Sequence, residues 1–226
     1  NYEEVSLYNP QNGFATFLIP AVLILIIQQT LLLGVGMAAG TAREHNQFRN
    51  LVPVERHHRG LLRIVLGKSG AYLLVYIPLS VYVLGVVPHL FHLNQIGNPW
   101  NIALFATPFV IACILFSMTV SAFVRHREMC IMLIVFTSVP LLFISGLSWP
   151  GSAVPDAWKA ISYIFPSSFG INGFVAINNM GATLSDVQHD WYMLWVQAFI
   201  YLIATCGVYK ASIIRARQKT INIWRT

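Results

Sequence analysis

The chain has 226 residues, 56% of them hydrophobic and only 10% charged, whereas soluble domains carry roughly 25% charged residues; an ordinary soluble class is excluded. The net charge of +6 comes without aromatic residues interleaved among the basic ones to stack bases, so it does not indicate a nucleic-acid partner. Cys113, Cys130 and Cys206 are odd in number and far apart, form no CxxC or metal-ligand spacing, and read as small buried hydrophobes.

A membrane helix needs about 20 apolar residues to cross about 30 Å of hydrocarbon. Residues 14–39 are the first predicted span. The sequence starts at Asn1 with no basic leader segment or cleavage site before that span, so a further span upstream is expected. Residues 42–68 follow as a loop carrying Arg43, Arg49, Arg56, Arg59, Arg63 and Lys68. Residues 69–90 and 102–123 are the second and third spans. A short gap with Arg125 and Arg127 leads into the fourth, residues 129–149. Residues 150–181 are too apolar for a water-facing loop and too broken for a span. Pro155 starts a short helix over 156–165, Pro166 ends it, and a second apolar stretch covers 169–177. Two short apolar helices between full spans predict a re-entrant hairpin. Residues 191–213 are the fifth span, followed by a tail with Lys210, Arg215, Arg217, Lys219 and Arg225.

Thirteen of the fourteen Lys and Arg residues fall in alternate gaps or the tail, and Lys159 alone lies on the other side. Basic loops stay cytoplasmic, which places the C-terminus inside and the hairpin outside. Trp100, Trp149, Trp191 and Trp195 fall near outer span ends, where indole rings favour the headgroup layer. Pro78, Pro108 and Pro140 interrupt spans and are expected to kink them. The predicted fold is an all-α membrane protein: a polytopic bundle with five transmembrane helices, six in the full chain, plus a re-entrant helical hairpin on the outer side.

Catalytic patterns are missing. Residues 69–124 contain no Asp, Glu, Lys or Arg, nor do residues 129–155 after Glu128. Proton-coupled transporters and selective cation channels carry ionisable groups inside their spans, so this argues against both. The i, i+3 spacing of His89 and His92 places both rings on one helical face at a span edge, better suited to interfacial packing than to metal. Gly67-Lys68-Ser69 lacks the upstream glycine of a phosphate-binding loop, since Leu62 stands there, and Lys68 reads as a snorkelling residue. No catalytic residues, no metal ligands and no enzymatic activity are expected of this chain.

Three phrases point to a family. Asn9-Pro10 precedes the first span. Ala42-Arg43-Glu44 stands where that span meets the cytoplasm, followed by Pro53 and Gly67-Lys68. The run SGLSWPGSAVPDAWKAISYIFPSSFGINGFVAINNMG places Ser145-Gly146, Pro150, Pro155, Pro166 and Gly181 at matching spacings. Together these resemble the permease subunit of bacterial type 2 ABC transporters, the class of drug and lipid exporters that pair with a separate ATPase. The chain departs from the family pattern at residues 45–50 (HNQFRN) and at Val175, where an Arg is frequent. The resemblance covers nearly the whole chain, taken as one permease domain over residues 1–226.

The resemblance implies two permease subunits, identical or different, assembled with two ATPase subunits in the bacterial cytoplasmic membrane. ATP and Mg would sit on the ATPases, and this chain would bind no cofactor. The loop after the first span would dock on the ATPase through Arg43, Glu44, Phe48, Leu51, Val52 and Pro53. Gln28, Gln29 and Thr30, with Phe136, Thr137 and Ser138 near Pro140, lie in the two spans that border the family's central cavity. Phe165, Pro166 and Phe169 are the expected outer gate. An ATPase-independent transporter or channel, or a membrane-embedded enzyme or scaffold, is the alternative that the bare residues leave open.

Overall fold

Local residue chemistry sets where the helices begin. Asn98 stays extended and its side-chain oxygen accepts the N–H of Trp100 at 3.0 Å, while Pro99 fills the first turn, where its missing donor is not needed. Pro166 plays the same part after the extended Phe165. Gly181 ends that helix in the left-handed region at φ 68°, donating its N–H to the Ile177 carbonyl.

The computed structural model describes residues 14–45, 60–93, 95–124, 126–144 and 155–223, and gives side chains for them except at 14–17, 144 and 213–223. All of its regular structure is helical: α1 (Phe14–Glu44), α2 (Leu61–Val81), α3 (Pro99–Ser121), α4 (Arg127–Ile144), α5 (Asp156–Ser162), α6 (Pro166–Met180) and α7 (Gln188–Ile223). Beyond Val81, α2 continues through a π-helical turn, Tyr82–Val86, into a final α turn, Val87–Leu90. The widened turn begins four residues after Pro78, and the Leu84 carbonyl within it accepts a hydrogen bond from Gln95 Nε2 at 2.9 Å.

Four helical stretches are long and apolar enough to cross a membrane: Leu18–Glu44, Leu61–Leu90, Pro99–Ser121 and Gln188–Ser212. The 18 residues of α4 add a further apolar helix of about 27 Å at 1.5 Å per residue. α5 and α6 meet at a bend of 91°. The protein is therefore an all-α polytopic membrane protein.

Several boundaries differ from those read in the sequence. α1 runs on to Glu44 and α2 starts at Leu61, so the expected loop over 42–68 is shortened at both ends and Arg63 and Lys68 are helical. Basic residues do not interrupt a backbone helix, and Lys68 extends its ammonium over the Tyr209 ring at 5.4 Å. The helix expected over 156–165 stops at Ser162, and the next spans Pro166–Met180 rather than 169–177, because the proline opens that helix. α7 extends through the basic tail to Ile223. α3 and α4 stay continuous through Pro108 and Pro140. His92, at φ 52°, lies beyond the last helical turn, so it does not share a helical face with His89 as their spacing suggests. Residues 145–149 of the fourth predicted span lie outside the described residues.

α1 and α3 form the interior. Phe105, Phe109, Ile114 and Met118 of α3 pack against Ile24, Ile27 and Leu31 of α1, and Ile171, Phe174 and Ile177 of α6 lie in the same core. α7 seals one side, where the Thr119 and Thr205 hydroxyls meet at 2.9 Å. α2 and α7 expose Leu74, Val75, Ile77, Val81, Phe199, Ile200 and Ile203, the apolar surface that lipid covers in a membrane bundle.

Candidate functional site

Two constructions stand out: a tight seam between α1 and α4, and the bend between α5 and α6. The seam rests on Gly36 and Gly40, one helical turn apart. A methyl added at Gly36 would stand 2.6 Å from Cys130 Sγ, and one at Gly40 would stand 2.8 Å from the Arg127 backbone nitrogen. Small residues at i, i+4 let two membrane helices touch backbone to backbone. One turn further, Glu44 Oε1 accepts the N–H of Arg127 at 3.0 Å, and its other oxygen lies 3.7 Å from Arg127 Nε. His126 Nδ1 stands 3.8 Å from the same carboxylate. A carboxylate at the start of α4 also meets the positive end of that helix dipole. Arg43 donates to the Val124 carbonyl, so adjacent residues of α1 grip both sides of the turn between α3 and α4. Deeper in the bundle, Gln29 Nε2 donates to Thr137 Oγ1 at 3.3 Å.

The bend is built from borrowed side chains. Backbone groups inside a bilayer need protein partners, and a break in helix leaves several without one. Gln197 Nε2 of α7 donates to the Tyr163 carbonyl at 2.6 Å, and the Tyr201 hydroxyl donates to the carbonyl of Ile164. Ser168 Oγ donates to the Ser162 carbonyl at 2.7 Å. On the far side of the bend, the Ser167 N–H is taken by Gln28 Oε1 of α1 at 2.7 Å. Gln28 lies in the middle of α1, so α6 begins deep within the bundle. It then runs outward for 15 residues to Met180, and near its end the Asn178 carbonyl accepts the Ile96 N–H at 2.9 Å in the connection between α2 and α3. Gly170 and Gly173 give α6 the room to do so: they lie against the Phe109 and Phe105 rings, where a methyl group would clash.

The sequence-predicted residues separate into groups. Phe165 lies at the bend and Phe169 in the first turn of α6, on either side of Pro166. The Phe165 ring meets Phe116 edge-on at 5.6 Å, Phe169 stacks on Tyr163 at 5.4 Å, and Pro166 is buried between them. Gln28 is 1% exposed and faces α6 and α3, while Gln29 and Thr137 join α1 to α4. Thr30 lies on the bundle surface on α1, where its hydroxyl returns to the Ile26 carbonyl, and Phe136 lies on the surface of α4; Ser138, half-buried on α4, returns its hydroxyl to the Ile134 carbonyl. Phe136 belongs to an exposed apolar stripe of α4 with Met132, Val135, Val139 and Phe143. Arg43 and Glu44 engage α4 and the turn before it. Phe48, Leu51, Val52 and Pro53 lie outside the described residues.

Sequence reasoning passed over the glycines. Gly36-x-x-x-Gly40 is a recognisable close-packing spacing. Gly170 and Gly173, three apart in an apolar helix, gave a weaker signal. No sequence feature marks Gln197 and Tyr201 as partners of the bend.

A family described as ABC-2 family transporter protein matches residues 1–206 of the chain. No curated protein and no solved structure matches it. The chain belongs to the ABC-2 transporter family and is a membrane permease subunit of a type 2 ABC transporter.

Proposed function

We propose that this permease forms the translocation path of an ATP-driven exporter and that its α5–α6 hairpin is the outer gate of that path. The observation that carries the reading is the bend itself: a half-length helix starts deep in the bundle with its broken backbone served by α1 and α7. A segment held by side chains from two different spans responds when those spans move. Membership of the family implies association with an ABC ATPase subunit. In the proposed assembly that subunit binds ATP and Mg, a second permease faces this one, and the apolar stripe of α4 with Thr30 and Ser138 borders the path for a hydrophobic substrate. The α1–α4 seam carries the stroke inward from the loop that follows Glu44. The site of action is the bacterial cytoplasmic membrane, with lipid around the bundle.

Affinity purification of the chain from its native membranes tests the assembly. The expected result is a co-purifying nucleotide-binding subunit with ATPase activity. Recovery of the chain alone in mild detergent, in a form that transports without ATP once returned to sealed vesicles, would favour an ATPase-independent transporter.

The loop reading gives a second expected outcome. Glu44→Lys places a cation beside Arg127 and His126 and opens the seam, while Phe48→Ala removes an apolar anchor and leaves the seam intact. Each is expected to weaken ATPase retention about tenfold, the factor set by about 1.4 kcal/mol of lost contact. Wild-type retention in Phe48→Ala would remove the loop from the interface.

Sidedness follows from the basic residues. With Cys113, Cys130 and Cys206 replaced, a cysteine at Ser185 is expected to react with an impermeant thiol reagent in intact cells and one at Glu128 to resist it. Both side chains are exposed, so burial does not confound the comparison. Labelling of both from the same side would overturn the topology.

A further inference from the structure

We propose that Gln28 is a positioning residue for the outer gate: its amide oxygen fixes the start of α6 to the middle of α1, so the hairpin moves with α1. The proposal rests on the reading of the α5–α6 hairpin as that gate.

The geometry is specific. α6 opens with Pro166, which has no N–H, so Ser167 presents the first backbone donor of the helix. Ser167 and Gln28 are each 1% exposed, and no water competes for that donor in a bilayer interior. Gln28 Oε1 accepts it at 2.7 Å. The same oxygen is 3.9 Å from the Cys113 thiol of α3, a weak second donor, so one amide oxygen joins three helices. Helix starts are usually capped by a neighbouring residue of their own chain segment. Here the cap comes from 139 residues away, which turns a local stabilising device into a link between elements. The next residue, Gln29, points a third of a turn around α1 and reaches Thr137 of α4. Consecutive glutamines thus tie α1 to the hairpin on one side and to the seam helix on the other. Beyond them, α1 runs to Glu44, the clasp on α4. A displacement of α1 therefore reaches the first turn of α6 through this buried hydrogen bond, beside the apolar packing that the two helices share.

The test uses the complete permease–ATPase complex in nanodiscs and reads backbone hydrogen exchange over residues 163–180. Gln28→Met keeps the volume and removes the acceptor. Gln28→Glu keeps both length and acceptor, and a helix N-terminus favours its partial or full negative charge. Cys113→Ala disturbs packing at the same point and leaves the acceptor in place. In the nucleotide-free complex, exchange at the start of α6 is expected to rise at least about tenfold in Gln28→Met and to stay near wild type in Gln28→Glu and Cys113→Ala. Wild-type protection in Gln28→Met, or an equal rise in Cys113→Ala, overturns the proposal. Should Gln28→Met fail to assemble, assembly and protection in Gln28→Glu sustain it, and failure of both overturns it. The gate reading is tested separately in the wild-type complex, where ATP is expected to change exchange over the hairpin. Unchanged exchange there defeats the gate and leaves the capping role of Gln28 standing.

Discussion

Replacing Phe165 and Phe169 together by aspartate is expected to release the hairpin from the bundle while the protein still inserts. Each ring has a defined seat. Phe165 meets the edge of Phe116, which in turn meets Tyr201 at 5.3 Å, and Phe169 is stacked on Tyr163. A charged side chain at the centre of a membrane helix costs about 2.5–3.5 kcal/mol and less towards the interface, and each lost aromatic pair adds roughly 0.5–1.5 kcal/mol. At the centre of the membrane the double variant is therefore expected to lose about 6–10 kcal/mol of the free energy that holds the hairpin in its native conformation, and less towards the interface. Hydrogen exchange over residues 163–180 should approach that of a water-facing loop, and transport in the assembled complex should be abolished or leak. The five long apolar helices are untouched, so insertion is retained. Native protection in the double variant would show that the rings do not hold the hairpin in place.

Gly173→Ala is expected to lower stability even though alanine is the better helix former. The exchange gains up to about 1 kcal/mol from backbone entropy and helix propensity. Against that, the added methyl would overlap the Phe105 ring, which is fully buried and has nowhere to turn. Overpacking of this kind costs typically 1–3 kcal/mol, and an approach of 2.3 Å to Phe105 Cζ puts this case in the upper part of that range, leaving a net loss of about 1–2 kcal/mol. That corresponds to roughly 2–8 °C in the midpoint of thermal unfolding for a chain of this size. Gly170→Ala, with its methyl 2.6 Å from Phe109 Cδ2, should behave alike. The decisive measurement is the double variant with Phe105→Leu. If overlap with the ring is the cause, the two substitutions together destabilise by less than the sum of each alone. Strict additivity would place the cost elsewhere.

The loop between α6 and α7 shows how little of such a device is visible in advance. Asp186 accepts both the hydroxyl and the N–H of Thr183, which holds its carboxyl below the usual carboxylate range. This follows the general habit of Asp and Thr in turns, and a three-residue spacing makes it a local event. The bend at residues 163–165 is the opposite case. Its carbonyls are served by residues more than thirty positions away, and its first donor by one 139 positions away.

The sequence by itself determined that this is an all-α membrane protein, roughly where its apolar helices lie, and that a broken apolar segment follows the fourth of them. Those properties follow from composition and local periodicity: about 20 apolar residues must form a helix in lipid, and Pro155 and Pro166 favour helix starts within a stretch too short to span. The order of Ala42-Arg43-Glu44, Pro150, Pro155 and Pro166 also carried the family resemblance. Tertiary structure alone decided what the polar residues in the spans do. Gln28 and Gln29 are adjacent and chemically identical, yet one caps α6 and the other meets Thr137. The helix turns 100° per residue and presents them to different neighbours. It likewise decided that α6 starts deep in the bundle, because that depends on Gly170 and Gly173 meeting Phe109 and Phe105 from another helix. Hydrophobic burial is a property of each segment. Close approach and the satisfaction of a broken backbone are properties of pairs of segments, which no single stretch of sequence contains.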